Sequence, residues 1–540
     1  MTPLPTPAPF LLAIYVLLPL AAFAALGWLV RTRGLQCPSW IQSALTSRWM
    51  PVAAGIIAAA LTWFVWGSLN ESGVIHDERA YLLQARIFAT GHWTGYAPPL
   101  PEFFEQMHVF VVARLAAKYP PGHSLLLAVG VLFGLSGLVP VILSGVAGAL
   151  VFAIARRLAD PVVALFTWLL WSTSVANLLW RASYFSQTVS LALWLVALWY
   201  LLLWKRAGKR YQLLIIVSAL AWMYLTRPLT AIALGAPIGV FVLMTVWRRK
   251  LWGQLAVSAA VAIPVLALNF LWHKETLGEW RANPYARYSQ VYFPFDKPGF
   301  GIDASRPLRE RPEEVAWVGD EFTALHAAHR PRNIPRILLE RVLGLLLTLG
   351  YQWRAFLIGL IVIGALRVRG PARFGVVSVF ALLVAYLIFA HPPWWTLYYV
   401  EVFPVLFFVA TVELVRFGRT ALRLDEGASR AAVALALALV IPCAVIDVIN
   451  ARKLNDRYSD FGRTAARVLE TIPEQSAVVF VRYPPNLNHH LSLITNTPDY
   501  RTARLWIVYD RGADNCRLLR MTDRSAYRLS TETWKLERLR

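Results

Sequence analysis

Twelve apolar runs, most of them close to 20 residues long, constrain this chain more than any other feature. They fall at about 10–30, 50–69, 137–155, 161–177, 188–204, 211–225, 229–247, 252–272, 342–363, 374–390, 398–415 and 431–449. A helix needs roughly 20 apolar residues to cross a bilayer core of about 30 Å. Only 16% of the 540 residues are charged, where a soluble domain carries about 25%. The expected fold class is therefore an all-α polytopic membrane protein with about 12 transmembrane helices. Disordered, fibrous and ordinary soluble architectures are excluded. The first run has no basic residue before it, so it is taken as a span and not as a signal peptide.

The charge balance is strongly basic, 53 Lys and Arg against 31 Asp and Glu. In a soluble protein that excess would suggest nucleic acid. Here it sits in short loops between apolar runs: Arg31/Arg33/Arg48, Arg156/Arg157, Lys205/Arg206/Lys209/Arg210, Arg248/Arg249/Lys250, Arg367/Arg369/Arg373 and Arg416/Arg419/Arg423/Arg430. Only Asp160, Asp425 and Glu426 oppose them. All six loops fall on one side if the chain crosses twelve times, which is the positive-inside pattern. Both termini then lie outside, and nucleic acid is not an expected partner. By this parity 123–136, apolar but only 14 residues long, is read as an interfacial or re-entrant segment rather than a span, with a tightly bent hairpin as the alternative.

Three large regions then face outward: 70–136, 273–341 and the tail. Residues 1–449 are expected to form the membrane domain. Residues 450–540 are expected to form a small extracytoplasmic α/β domain, with strand-like runs at Ser476–Val481 and Leu505–Tyr509. The three cysteines, Cys37, Cys443 and Cys516, have no metal-ligand spacing and suggest no disulfide framework.

Ionisable residues at the outer membrane edge carry the chemical information. After the second span comes His76-Asp77-Glu78-Arg79-Ala80-Tyr81, opening an amphipathic helix that Gly91 should end. Asp77 as a helix cap, with Glu78 favouring the dipole, accounts for the acids architecturally. A carboxylate held at the lipid–water boundary is also placed to act as a general base, because partial desolvation raises its proton affinity. Farther on, Lys118 and His123 flank the rigid Tyr119-Pro120-Pro121 corner, where a cation can meet a lipid phosphate. Arg181 and Arg227 lie in short outer loops, where the positive-inside rule disfavours Arg. Snorkelling to head groups is the plain alternative for both. Arg281 and Arg287, in a long polar loop, are weaker candidates.

Asp77-Glu78-Arg79-Ala80-Tyr81 after an early span, followed by Lys118-Tyr119-Pro120-Pro121 before the next apolar segment, resembles the GT-C glycosyltransferases. The pattern is most like the protein O-mannosyltransferases and the lipid A aminoarabinose transferases. It is strongest over the first 230 residues or so. The resemblance implies a sugar donor on polyprenyl phosphate, an extracytoplasmic acceptor (lipid, glycan or protein) and transfer with inversion. It places Asp77 as general base, with Glu78 beside it as the second candidate catalytic acid. Lys118, Arg181 and Arg227 become candidates for the donor phosphate, and His76, Tyr81, His123, Tyr184 and Glu401 for substrate contact. No nucleotide or redox cofactor is required. His76, Asp77, Glu78, His108 and His123 form a candidate divalent-metal set, although no HExxH-type motif supports it.

The chain departs from relatives in two places. Residues 178–187 lack the second-loop acid that many of them carry, and Trp394–Glu401 lacks an Arg-Tyr pair. The family's style suggests a bacterial plasma membrane with the site facing the periplasm. A lipid flippase and a non-catalytic envelope assembly protein are the alternatives. A flippase should place ionisable residues near mid-bilayer, often with inverted repeats, and no repeat is visible.

Overall fold

A computed structural model describes residues 9–69, 73–309, 313–485 and 489–539. The Pro-rich start lies outside the described residues. Within them, seven helices are long and apolar enough to cross a membrane, or up to nine when two sharply bent pairs each count as one span. This is a multi-pass membrane protein built from helices, with one small sheet near its C-terminus. Basic residues occupy the last turn of many helices: Arg31 and Arg33, Arg156 and Arg157, Lys205 and Arg206, Arg248 and Arg249, Arg367, and Arg419. There they complement the partial negative charge of the helix end.

Small residues set the closest helix contacts. Helices Met50–Trp66 and Leu138–Leu158 cross where Gly55 meets Gly145, and a Cβ on Gly55 would lie 2.7 Å from the Gly145 carbonyl oxygen. Close backbone approach of this kind replaces hydrophobic drive in a lipid solvent. Asp160 caps the next helix, its carboxylate accepting from the backbone N–H groups of Val162 and Val163 beside Pro161.

Two expected spans are broken. The run at 161–177 becomes Pro161–Thr173 and Val175–Arg181, bent by 67°. The run at 342–363 becomes Ile334–Leu349, a tight turn Gln352–Phe356 and Leu357–Arg367. Gly350 ends the first piece and Gln352 takes a left-handed φ of 53°. Apolar composition reports that a segment is buried; it is silent on where the helix stops. The helix Gly122–Leu132 has 11 residues, about 17 Å by helix rise, and is too short to cross.

A 45-residue helix, Glu426–Glu470, leads from the bundle to the sheet. The short hairpin strands are β1 (Val109–Phe110) and β2 (Ala116–Ala117). The C-terminal strands are β3 (Ala477–Arg482), β4 (Leu505–Tyr509), β5 (Ser525–Ser530) and β6 (Leu536–Arg538), in spatial order β4-β3-β5-β6. Strand β3 is parallel to β4 and β5, and β6 is antiparallel to β5. Because side chains alternate across a sheet, Val479 and Val481 pack toward Ala465 and Leu469 of the long helix. Val478 and Phe480 pack on the other face against Phe103 and Phe104 from the 70–136 loop. Arg517 pairs with Glu102 at 2.9 Å, and the Asn496 backbone N–H donates to Gln106. The C-terminal sheet and the first long loop thus share one core.

Candidate active site

A cavity of about 460 Å³ opens among the first loop, the 273–341 loop and the ends of several membrane helices. Its wall includes His76, Asp77, Tyr81, Lys118 and Arg227 from the sequence-derived candidates. Apolar and aromatic groups such as Leu179, Phe185, Trp395 and Tyr398 make up much of the rest.

Asp77 lies in the first turn of helix His76–Ala89, which starts at His76 with no side-chain cap. The expected capping role is therefore not the one its carboxylate plays. Tyr119, from the Tyr-Pro-Pro corner, donates its hydroxyl to Asp77 Oδ1. His76 Nε2 lies 3.0 Å from Oδ2. Burial pushes the Asp77 carboxyl up, but His76, His108 and the Tyr119 hydroxyl outweigh it and hold the group below the ordinary carboxylate range. Asp77 is an ionised carboxylate in a partly dry wall.

Glu78 faces the opposite way. Its carboxylate accepts from the backbone N–H of Tyr184 at 2.9 Å and is buried. Burial pushes it up to about 7 despite those donors. His123 and Tyr184 belong to the same packed layer: His123 Nε2 lies 2.7 Å from the Tyr184 carbonyl oxygen, and the Tyr184 hydroxyl is 2.8 Å from Ser136 Oγ. Arg181 is fully buried away from the cavity, donating to the Ser172 carbonyl oxygen at 2.6 Å and stacking over Trp171. Every residue of the helix Val175–Arg181 that follows the 67° bend is buried, so Arg181 is not the exposed loop residue that the sequence suggests.

Lys118 and Arg227 are the cations that reach the cavity. Lys118 Nζ lies over the rings of Tyr285, Tyr288 and Tyr119, at 4.3, 5.0 and 5.5 Å. Burial pulls its ammonium below the ordinary value, against Asp296 and Asp77. Arg227 donates to the Tyr386 hydroxyl at 2.7 Å and lies 3.6 Å from Glu401. Glu401 itself is fully buried, with Ser190 donating to it, and sits behind Arg227 rather than in the cavity wall.

Sequence reasoning missed Asp296, which lines the cavity from the 273–341 loop with His326 3.5 Å away. It supplies a second carboxylate that the 178–187 loop lacks. Its local sequence, Phe293-Pro294-Phe295-Asp296, carries no recognisable signal. Tyr119, Tyr386 and His490 were also missed as cavity groups. Tyr119 had a signal in its corner, but that reads as architecture.

The first loop and the 273–341 loop are joined at Glu105, which meets Arg309 at 2.7 Å and accepts from Tyr292 at 2.9 Å. Burial pushes Glu105 up to about 7, against Arg309, Tyr292 and Arg511. A carboxyl whose folded pKa exceeds its unfolded value binds more protons when folded. It therefore weakens the folded state as pH rises from about 4.5 to about 7. Thermal unfolding at pH 5 and pH 8 should show Glu105→Gln with the flatter pH dependence.

Residues 118–272 match the family described as dolichyl-phosphate-mannose-protein mannosyltransferase. No curated protein sequence matches the chain. Two solved structures of ArnT from Cupriavidus metallidurans are similar in fold. The first, bound to undecaprenyl phosphate, has 15% identity and a TM-score of 0.52, and the match covers 90% of this chain and 93% of that one. The apo form has 15% identity and a TM-score of 0.51, covering 89% and 92%. The chain is thus a multi-pass membrane protein that shares the fold of ArnT, and its residues 118–272 match the dolichyl-phosphate-mannose-protein mannosyltransferase family.

Proposed function

We propose that this protein is a GT-C-type glycosyltransferase that moves a sugar from a polyprenyl-phosphate donor to an acceptor on the outer face of the membrane. The observation that carries the reading is a single cavity that holds the Asp77 carboxylate together with Lys118 and Arg227. The ArnT structure with undecaprenyl phosphate supports a lipid of that class. The placement of the basic loops supports the outward side.

The acceptor hydroxyl oxygen attacks the anomeric carbon and gives its proton to Asp77. The bond from that carbon to the phosphate oxygen breaks, and its electron pair leaves with the polyprenyl phosphate. One displacement inverts the carbon. Lys118 and Arg227 hold the charge that develops on the leaving group. Tyr81 and Asp296 are placed to meet sugar or acceptor hydroxyls. The scheme uses no nucleotide or redox cofactor.

Binding of a polyprenyl phosphate to the purified chain, read by native mass spectrometry, tests the reading. Lys118→Met and Arg227→Met should each weaken it at least about tenfold, the scale of one charge-assisted hydrogen bond. Undiminished binding in both variants would refute the assignment of the phosphate site.

Glu401 acts in this scheme by holding Arg227. Glu401→Gln should lower kcat/KM for the donor about tenfold, through both kcat and KM, since Arg227 serves the bound phosphate and the charge that develops on it. An unchanged kcat/KM would remove Glu401 from the positioning of Arg227.

A further inference from the structure

The wall of the cavity contains a donor set of which the transfer scheme uses only Asp77. His76, Asp77 and His108 each offer one ligand atom, and the three atoms lie within 4.8 Å of one another. His76 Nε2 is 3.0 Å from Asp77 Oδ2, and His108 Nε2 is 3.7 Å from Asp77 Oδ1. A four-coordinate ion with bonds of about 2.0–2.1 Å separates neighbouring ligand atoms by about 3.3 Å. Two edges of such a tetrahedron are therefore already close to length. The expected partners Glu78 and His123 take no part, because both are spent on the Tyr184 backbone.

Two independent features point to a ligand here. His108 Nδ1 is buried with no hydrogen-bond partner among the described residues, and at 3.7 Å its Nε2 is beyond hydrogen-bond reach of Asp77. His108 Nε2 therefore faces the carboxylate without a hydrogen bond and is the ring nitrogen available to an ion, while Nδ1 is the nitrogen on the other side. Its backbone is also held at a left-handed φ of 66°, pinned by a 2.8 Å bond from its N–H to the Tyr288 hydroxyl. On the other side, His490 from the C-terminal region stacks on His76 at 4.7 Å, with the two Nδ1 atoms 3.2 Å apart. A hydrogen bond between them, donated from His76 Nδ1, leaves its Nε2 lone pair directed at the cluster.

We propose that His76, Asp77 and His108 bind a divalent transition-metal ion of the zinc class, with a fourth position open to the cavity and His490 orienting His76. Two imidazoles and one carboxylate are a donor set suited to such ions. Three protein ligands with an open position are the arrangement of a reactive site rather than a closed structural one. The C-terminal region thereby reaches the site through His490. Ion binding stands without the transfer reading. Only its consequence, a Lewis acid beside the acceptor hydroxyl, rests on that reading.

The test uses the full chain in detergent, with any affinity tag removed and the protein stripped with a chelator. Zinc is titrated in against a chromophoric chelator, and bound metal is counted by mass spectrometry. One ion per chain is expected in the wild type. His108→Ala should abolish binding, and His490→Ala should weaken it about 10–100-fold as an outer-shell partner. His92→Ala, an exposed histidine elsewhere on the loop, should leave it unchanged. Cobalt substitution of the wild type gives a readout that does not depend on a folded variant: an intense visible band of a four-coordinate site is expected. Sub-stoichiometric zinc that His108→Ala leaves unaltered, or no cobalt band, overturns the proposal. Polyprenyl-phosphate binding by the stripped protein is read separately, so failure of the metal site and failure of the transferase reading are distinguishable.

Discussion

Asp77→Asn is expected to lower sugar transfer by about 10²–10⁴-fold, the usual contribution of a positioned general base, while polyprenyl phosphate still binds. The substitution keeps the size of the side chain and an oxygen that can accept from Tyr119. It removes the ability to take a proton from the acceptor. Lys118 and Arg227 are untouched, so the carrier should bind within a few-fold of wild type. Transfer of labelled sugar from a polyprenyl-phosphate donor, in membranes containing the chain, measures the loss. Wild-type turnover in this variant would remove Asp77 from the chemistry. Loss of carrier binding in parallel would make it a packing residue.

The second large effect lies deep in the bundle. Arg354 pairs with Asp447, both about 1% exposed, and Asp447 also accepts from Trp353 Nε1 at 2.7 Å. Arg354 donates its other terminal nitrogen to Thr173 Oγ1 at 2.9 Å. This network ties the tight turn at 352–356 and the bend after Thr173 to the long helix Glu426–Glu470. Removing one partner strands a charge in an apolar interior, a cost of about 3–5 kcal/mol. Asp447→Ala should therefore reduce the yield of folded protein and lower its thermal midpoint sharply, as read by size-exclusion after heating. The double variant Arg354→Met/Asp447→Leu should recover most of the stability, because no unpaired charge remains. If Asp447→Ala were as stable as wild type, the pair would not be bracing the broken helices. Buried charge inside a membrane protein often marks a transport path. These two residues are absent from the cavity wall and are paired with one another, which favours a structural role.

Much of the architecture was legible in the chain because its causes are local. A bilayer demands apolar runs of a set length, so most spans could be read from composition alone. Helix C-termini favour cations, so Arg156, Arg157, Arg248 and Arg249 mark helix ends in the sequence and in the structure. The short, continuously apolar run at the start of Ala477–Arg482, rich in β-branched residues, reads as a strand for the same kind of reason. The sequence also indicated Asp77, Lys118 and Arg227, because an ionisable group beside an apolar run is expensive and therefore conspicuous.

Tertiary structure alone decided which of the conspicuous residues share a space. Arg181 and Arg227 look alike in sequence, each at the end of an apolar run, yet a 67° bend buries the first and leaves the second on the cavity. Glu78 adjoins Asp77 but turns to Tyr184, 106 positions away. Asp296 and His490 reach the same cavity from loops with no motif at all. Helix length and dipole act within a few residues of their source. Which carboxylate meets which cation depends on where distant helices bend and cross, and those angles come from contacts that no local stretch of the chain contains.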